Sequence, residues 1–411
     1  MISLHRYRSL LREPHIGAAI GASVIGRLPI GMAVLSILLF VQQTEQSFAR
    51  AGMASAAYVV GIGLAAPFIG RLMDRLGPRP LLVFGALAYP LALAALIAAV
   101  QTGAGGIWIA GTAFVAGMVL PPIPTSVRAL LRRLLRDPGH LQAAYSLDSV
   151  LMETVFIVGP GVVSIFAAFA WPAGAVACTA AMGFAGAIVF ARSPAVRAWS
   201  TDRAGEPRSP GRALATPGLL PVLAVTVFFS LGFGLFEVAV TAIAARARAP
   251  AAAGVILALA SVGSALGALV YGSRSWPGSV PGQYKAALGG MAIGLAALAP
   301  VEDLHMFGAI SILAGAPMST VLAAQSVLIA GMAPRAMLAE CFTWSATSLL
   351  AGVSLGIAVG GWMLEHVSPA VTLLGGAITT AIALGIAAVA VHPVPSEQGA
   401  AAARYEPVDH P

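Results

Sequence analysis

The feature that most constrains the fold of this chain is a series of twelve long apolar runs. A helix needs about 20 predominantly apolar residues to cross a bilayer, whereas a transmembrane β-strand needs only about ten and alternates in polarity. The runs are longer than such strands and do not alternate, so the sequence predicts an all-α integral membrane protein. The predicted spans are 16–41, 51–70, 80–100, 106–127, 144–169, 172–191, 218–243, 251–272, 284–301, 304–331, 340–363 and 368–391.

The composition agrees with a bilayer as the main partner of the chain. Of the 411 residues, 58% are hydrophobic and only 9% are charged, whereas a soluble domain carries about 25% charged residues. The chain has too few charges to cover a globular surface. Its basic residues fall in short breaks between the apolar runs and form no continuous face, so nucleic-acid binding is not predicted.

The basic residues also predict how the chain is oriented. With the N-terminus inside, 19 of the 23 Lys and Arg residues fall in the inner segments and three in the outer loops. Basic residues concentrate on the cytoplasmic side of membrane proteins. We therefore expect both termini to be cytoplasmic, in a multi-pass protein of the bacterial inner (plasma) membrane.

The chain divides into two halves of six spans each. The predicted parts are an N-terminal bundle (1–192), a cytoplasmic linker (193–217), a C-terminal bundle (218–391) and a disordered cytoplasmic tail (392–411). Span four ends in "GMVLPPIPTS" and span ten contains "LAGAPMST", so both place Gly and Pro ahead of small hydroxyl residues. The pattern predicts two pseudo-symmetric six-helix bundles, as in secondary transporters built from parallel repeats.

The loop between the second and third spans carries a recognisable motif, "GRLMDRLGPR", at residues 70–79. It resembles the signature that the major facilitator superfamily carries in this loop. The matching positions are Gly70, Leu72, Asp74, Arg75, Gly77 and Arg79. With the span count, orientation and linker, the resemblance covers essentially the whole chain. The phrases "RLPIGM", "SLDSVLMETVFIVGP" and "AECFTWSATSLLAGVSLGIAVGGW" resemble a bacterial efflux-permease branch. The "GPG" of residues 159–161 partly resembles the proline-glycine motif in span five of drug–proton antiporters.

The resemblance implies a cytoplasmic gate at this loop. Asp74 would cap the positive N-terminus of span eleven near Glu340 and release it when the halves rock apart. Gly70 and Gly77 would permit a close approach and a tight turn, and Arg71, Arg75 and Arg79 complete the candidate gate. The alternative is a solvated basic loop that merely obeys the positive-inside rule.

Two charged residues are predicted to meet near the membrane midplane. A charge there costs about 2.5–3.5 kcal/mol on insertion scales, so it needs a partner or a function. Arg27 in span one and Glu153 in span five lie at similar predicted depths, which makes them a candidate pair. The pair can be a salt bridge that only holds helices together, or Glu153 can be a proton or substrate site with Arg27 as its partner.

Three further polar residues in the spans are candidates. Asp148 lies five residues before Glu153, on a different helix face, and is expected to form a gate salt bridge with Arg128 or Arg75. Glu237 can line an outer vestibule or pair with Arg246. Gln325 can contact the solute or form a hydrogen bond between helices.

These observations predict a secondary active transporter that moves a small organic solute by alternating access, with proton-coupled efflux as the preferred mode. Uptake of a metabolite is the alternative within the same fold. A membrane-embedded enzyme or a sensor is a weaker rival, because the sequence contains no catalytic constellation and no additional soluble domain. We expect no enzymatic activity, cofactor or metal, and a monomer whose partners are the solute, protons and the bilayer.

Overall fold

The computed structural model describes residues 8, 10, 16–135, 137–169, 171–199, 213–249 and 252–392. The predicted tail beyond residue 392 and residues 200–212 of the predicted linker lie outside this part of the chain. The long helices are α1 (Ile16–Glu45), α2 (Phe48–Leu76), α3 (Pro78–Gln101), α4 (Gly106–Met118 and Ile123–Leu134), α5 (Pro138–Ala168), α6 (Pro172–Ala191), α7 (Leu219–Arg246), α8 (Ala252–Ser273), α9 (Val280–Leu298), α10 (Leu304–Met332), α11 (Leu338–His366) and α12 (Pro369–Ala390).

These twelve helices confirm the predicted fold class. Within the described residues, eleven of them are long and apolar enough to cross a membrane. The other, α9, begins with polar residues, among them Gln283 and Lys285, which lower its mean hydropathy. Its 19 residues still cover most of the predicted span 284–301.

The fourth span is one predicted run but two helical segments. Pro121 and Pro122 follow Met118, and neither can donate a backbone hydrogen bond, so the helix is interrupted there and resumes at Ile123. The second segment, Ile123–Leu134, carries Arg128 and Arg132, which reach α5 and the other half respectively.

The two bundles repeat the same packing. In the first half, α1 packs on α6 and α5, α2 packs on α4, and α3 packs on α6. Each of these pairs has a counterpart six helices later: α7 packs on α12 and α11, α8 packs on α10, and α9 packs on α12. The halves meet mainly where α2 lies along α11 and where α5 lies along α8 and α10. This two-fold correspondence is the pseudo-symmetry expected from the sequence.

Glycines bring the helices within each half into backbone contact. A methyl group on Gly159 of α5 would lie 2.7 Å from the carbonyl carbon of Gly31 in α1, and one on Gly356 of α11 would lie 2.2 Å from the Leu231 carbonyl oxygen in α7. Side chains larger than hydrogen would force these pairs apart.

One end of the molecule is called the arginine-rich end below. It contains the start of α1 and the α2–α3, α4–α5, α8–α9 and α10–α11 connections. The α1–α2, α3–α4 and α9–α10 connections lie at the opposite end.

Candidate functional site

The most buried charges form a three-residue network inside the first half. The Arg27 side chain is fully buried, and its Nη2 donates to Asp148 Oδ1 at 2.5 Å. Arg128 Nε donates to the other oxygen, Oδ2, at 2.8 Å. Asp148 on α5 therefore neutralises one arginine from α1 and shares its charge with a second from α4. The Asp148–Arg128 contact agrees with the sequence prediction.

The predicted pairing of Arg27 with Glu153 is wrong in this conformation. The reason is the true start of α5, which is Pro138, six residues before the apolar run begins. Asp148 then lies about 15 Å along α5 and Arg27 about 16 Å along α1, at 1.5 Å per residue. Glu153, five residues further along, is about 140° around the helix and faces elsewhere.

Glu153 instead joins the two halves. Its Oε1 accepts hydrogen bonds from the hydroxyls of Ser264 on α8, at 2.8 Å, and Ser319 on α10, at 2.9 Å. The Ser264 hydroxyl also lies 2.7 Å from that of Ser319, and both serines are buried. The Glu153 side chain is half-buried. Ser319 belongs to the "LAGAPMST" motif of span ten, but nothing in the sequence singles out Ser264 or joins either serine to Glu153, so the contact could not be predicted.

Asp74 contacts the first turn of α11, as the resemblance implied. Its carboxylate accepts from the backbone N–H of Ala339 at 3.1 Å and of Glu340 at 2.9 Å. These N–H groups have no partner within the helix and carry its positive pole, so an acid is favourable there. Arg71 Nε donates to Glu340 Oε1 at 2.6 Å and adds a second link between α2 and α11.

The motif glycines have the predicted geometry. A methyl group on Gly70 would lie 2.4 Å from Thr343 Oγ1 and 2.9 Å from Glu340 Cα, so Gly70 permits the contact of α2 with α11. Gly77 has φ +80°, a conformation that favours glycine, where the chain turns from α2 into α3. Arg75 and Arg79 are exposed at this turn, and their part in the gate stays a prediction.

Gln325 and Glu237 have different surroundings. Gln325 is buried, donates to Ser345 Oγ at 2.6 Å and accepts from Tyr284 at 3.3 Å, so it links α10, α11 and α9 within the second half. Glu237 is half-buried, and in the described part of the chain neither a hydrogen bond nor an ion pair joins it to Arg246. The predicted alternative pairing with Arg246 is thus not formed. Its place in an outer vestibule stays a prediction.

The links between the halves run from the arginine-rich end to the level of Glu153, about 22 Å along α5. Besides the contacts above, Arg132 donates to the Ala330 carbonyl, Gln142 to the Tyr271 carbonyl and Thr347 to the Gly63 carbonyl. Together they hold the arginine-rich end closed. Among the described residues, no group of three or more His, Cys, Asp or Glu side chains is placed to hold a metal ion.

The sequence profile of the Major Facilitator Superfamily matches residues 19–273. The chain belongs to this superfamily. It is also 24% identical, over 399 residues, to an uncharacterized MFS-type transporter of Sinorhizobium fredii (strain NBRC 101917 / NGR234), covering 94% of this chain and 97% of that protein. The chain is therefore a multi-pass membrane transporter.

Solved structures of the superfamily share the fold. A bacterial homologue of the iron transporter ferroportin in an outward-facing state superposes with a TM-score of 0.74 at 12% identity, covering 91% of this chain and 98% of that one. The E. coli fucose:proton symporter superposes with a TM-score of 0.71 at 12% identity, covering 93% and 100%. At such identities the likeness concerns the fold alone.

Proposed function

We propose that this superfamily member is a proton-coupled secondary transporter that exports a small organic solute across the bacterial inner membrane by alternating access. The observation that carries the proposal is the hydrogen bonding of Glu153 to Ser264 and Ser319. It places a titratable group on the boundary between two halves that must separate during transport. The excess of arginines at the closed end supports a cytoplasmic location for that end.

The charge on Glu153 controls the strength of this link. A carboxylate accepts hydrogen bonds roughly twice as strongly as a neutral group does. A proton that arrives from the opposite side therefore weakens the contacts with both serines and favours separation of the halves at the arginine-rich end. Once that end opens, the proton leaves toward the cytoplasm. The cycle moves a proton inward, and the return step carries the solute outward.

The coupling role of Glu153 can be tested without knowing the solute. Thr343 is buried against Gly70 of the other half, so a Thr343→Cys probe in a Cys178→Ser, Cys341→Ser background reacts with a maleimide only when the arginine-rich end opens. Its alkylation rate is divided by that of Ser275→Cys, an exposed position at the same end, which removes the effect of pH on thiol reactivity.

We expect the normalised rate to rise as the pH falls in the parent protein. In Glu153→Gln it should be high and independent of pH, because the amide mimics the protonated acid. Glu302→Gln, at an exposed residue of the α9–α10 connection, is the matched control and should behave like the parent. An unchanged pH response in Glu153→Gln would show that Glu153 is not the coupling residue.

The direction of transport needs a second assay. Inside-out vesicles with an acidic lumen are offered ethidium, salicylate or a neutral sugar as probes of a cationic, an anionic and an uncharged solute. Accumulation of a probe together with alkalinisation of the lumen supports export. Proton-linked release of a preloaded probe instead identifies uptake as the physiological direction.

A further inference from the structure

The connection between α10 and α11, residues 333–337, is held at both ends by the other half. On one side Asp74 of α2 accepts from the first N–H groups of α11. On the other side Arg132 of α4 donates from Nε to the carbonyl oxygen of Ala330 at 2.9 Å, in the last turn of α10. A carboxylate thus contacts a helix N-terminus, and a guanidinium cation contacts a helix C-terminus.

The sequence explains why the Ala330 carbonyl needs an outside donor. In a continuing helix, this oxygen would accept from the N–H of residue 334, but that residue is Pro334 and has no N–H. Ala330 is also almost completely buried, at 1% exposure. A buried carbonyl without a partner is unfavourable, so the guanidinium of Arg132 supplies the hydrogen bond that proline removes.

The charge of Arg132 adds to this contact. The C-terminal turn of a helix carries a partial negative charge, so a cation is favourable there. The Arg132 side chain is half-buried between the halves, where water screens the attraction less than at an open surface. When the halves separate, water can solvate both the carbonyl and the guanidinium, so the contact favours one conformation only.

We infer that Arg132 is a positioning residue of the gate, which holds the C-terminus of α10 while Asp74 holds the N-terminus of α11. This inference rests on the proposed alternating-access function. Arg132 sets the balance between the closed and open states of the arginine-rich end, and Pro334 makes that balance depend on a side chain of the opposite half.

The Thr343→Cys probe tests the inference. Arg132→Gln should raise its normalised alkylation rate by on the order of tenfold or more, the effect of losing a hydrogen bond to a charged group. Arg132→Lys, which keeps a cationic donor, should recover most of the parent rate. Arg192→Gln, at an exposed residue of the same end, is the matched control and should leave the rate unchanged.

Pro334→Ala provides the decisive comparison, because it gives residue 334 an N–H that can reach the Ala330 carbonyl. The effect of Arg132→Gln should then be several-fold smaller than in the parent. An equal effect in the two backgrounds, or no effect of Arg132→Gln in the parent, overturns the inference. The pH response of the same probe is measured in parallel, so the role of Glu153 stands or fails independently.

Discussion

Replacing Asp148 with Asn should destabilise the protein much more than replacing its partner Arg27 with Gln. Asp148 is the acid that pairs with Arg27, whose side chain has no exposure to solvent. Asp148→Asn therefore leaves a buried, unpaired guanidinium. Breaking a buried ion pair in this way costs about 3–5 kcal/mol.

Arg27→Gln has a smaller expected cost because Asp148 keeps a second partner. The 2.8 Å contact with Arg128 remains, and the Arg128 side chain is 19% exposed. What is lost is one charge-assisted hydrogen bond, about 1.5–3 kcal/mol. The losses in the free energy of unfolding are thus expected to differ by roughly 1–2 kcal/mol, although the two substitutions remove the two partners of one contact.

The assay is the free energy of unfolding measured by denaturant titration in mixed micelles, with thermal inactivation as a second readout. The double variant Arg27→Met, Asp148→Asn removes both charges and should be more stable than Asp148→Asn alone. If Arg27→Gln proves the more damaging single change, or the double variant recovers nothing, Arg27 does not depend on Asp148 for its charge balance and our account of the network fails.

Two further predictions concern the gate and the topology. Asp74→Asn removes a charge from the α11 N-terminus, where it is worth about 0.3–2 kcal/mol. It should raise the Thr343→Cys alkylation rate and slow transport, while the free energy of unfolding stays close to that of the parent. A parent-like alkylation rate would contradict the gate role. In intact cells, an impermeant maleimide should label Glu302→Cys but not Ser275→Cys, and the reverse labelling would invert the proposed orientation.

The sequence was sufficient for the fold because span length and charge asymmetry are local properties. Twelve apolar runs and the 70–79 motif led to the helices and to the Asp74 contact at the start of α11. Apolar runs mark the part of a helix that lipid requires, however, and helices continue into the aqueous ends. For that reason the apolar pattern does not indicate that α5 starts as early as Pro138. The early start places Asp148, and not Glu153, beside Arg27.

The contacts between the halves were beyond the sequence for a different reason. Ser264, Ser319 and Arg132 acquire their roles from the register of α5 and α4 against helices of the other half. That register depends on how the two bundles meet. Even Ser319, which lies in the "LAGAPMST" motif, gives no sign in the sequence of its partner in the other half.

The glycine contacts inside each half have a consequence for how substitutions will affect cells. Where Gly31 meets Gly159 and Gly356 meets Leu231, backbone touches backbone with no side chain to adjust, and such interfaces cannot slide by small steps. We therefore expect each half to move as one unit. Substitutions at these glycines should lower the amount of protein in the membrane, whereas substitutions at the few links between the halves should change turnover per molecule. A scan that scores abundance and transport separately would sort the residues of this chain into those two groups.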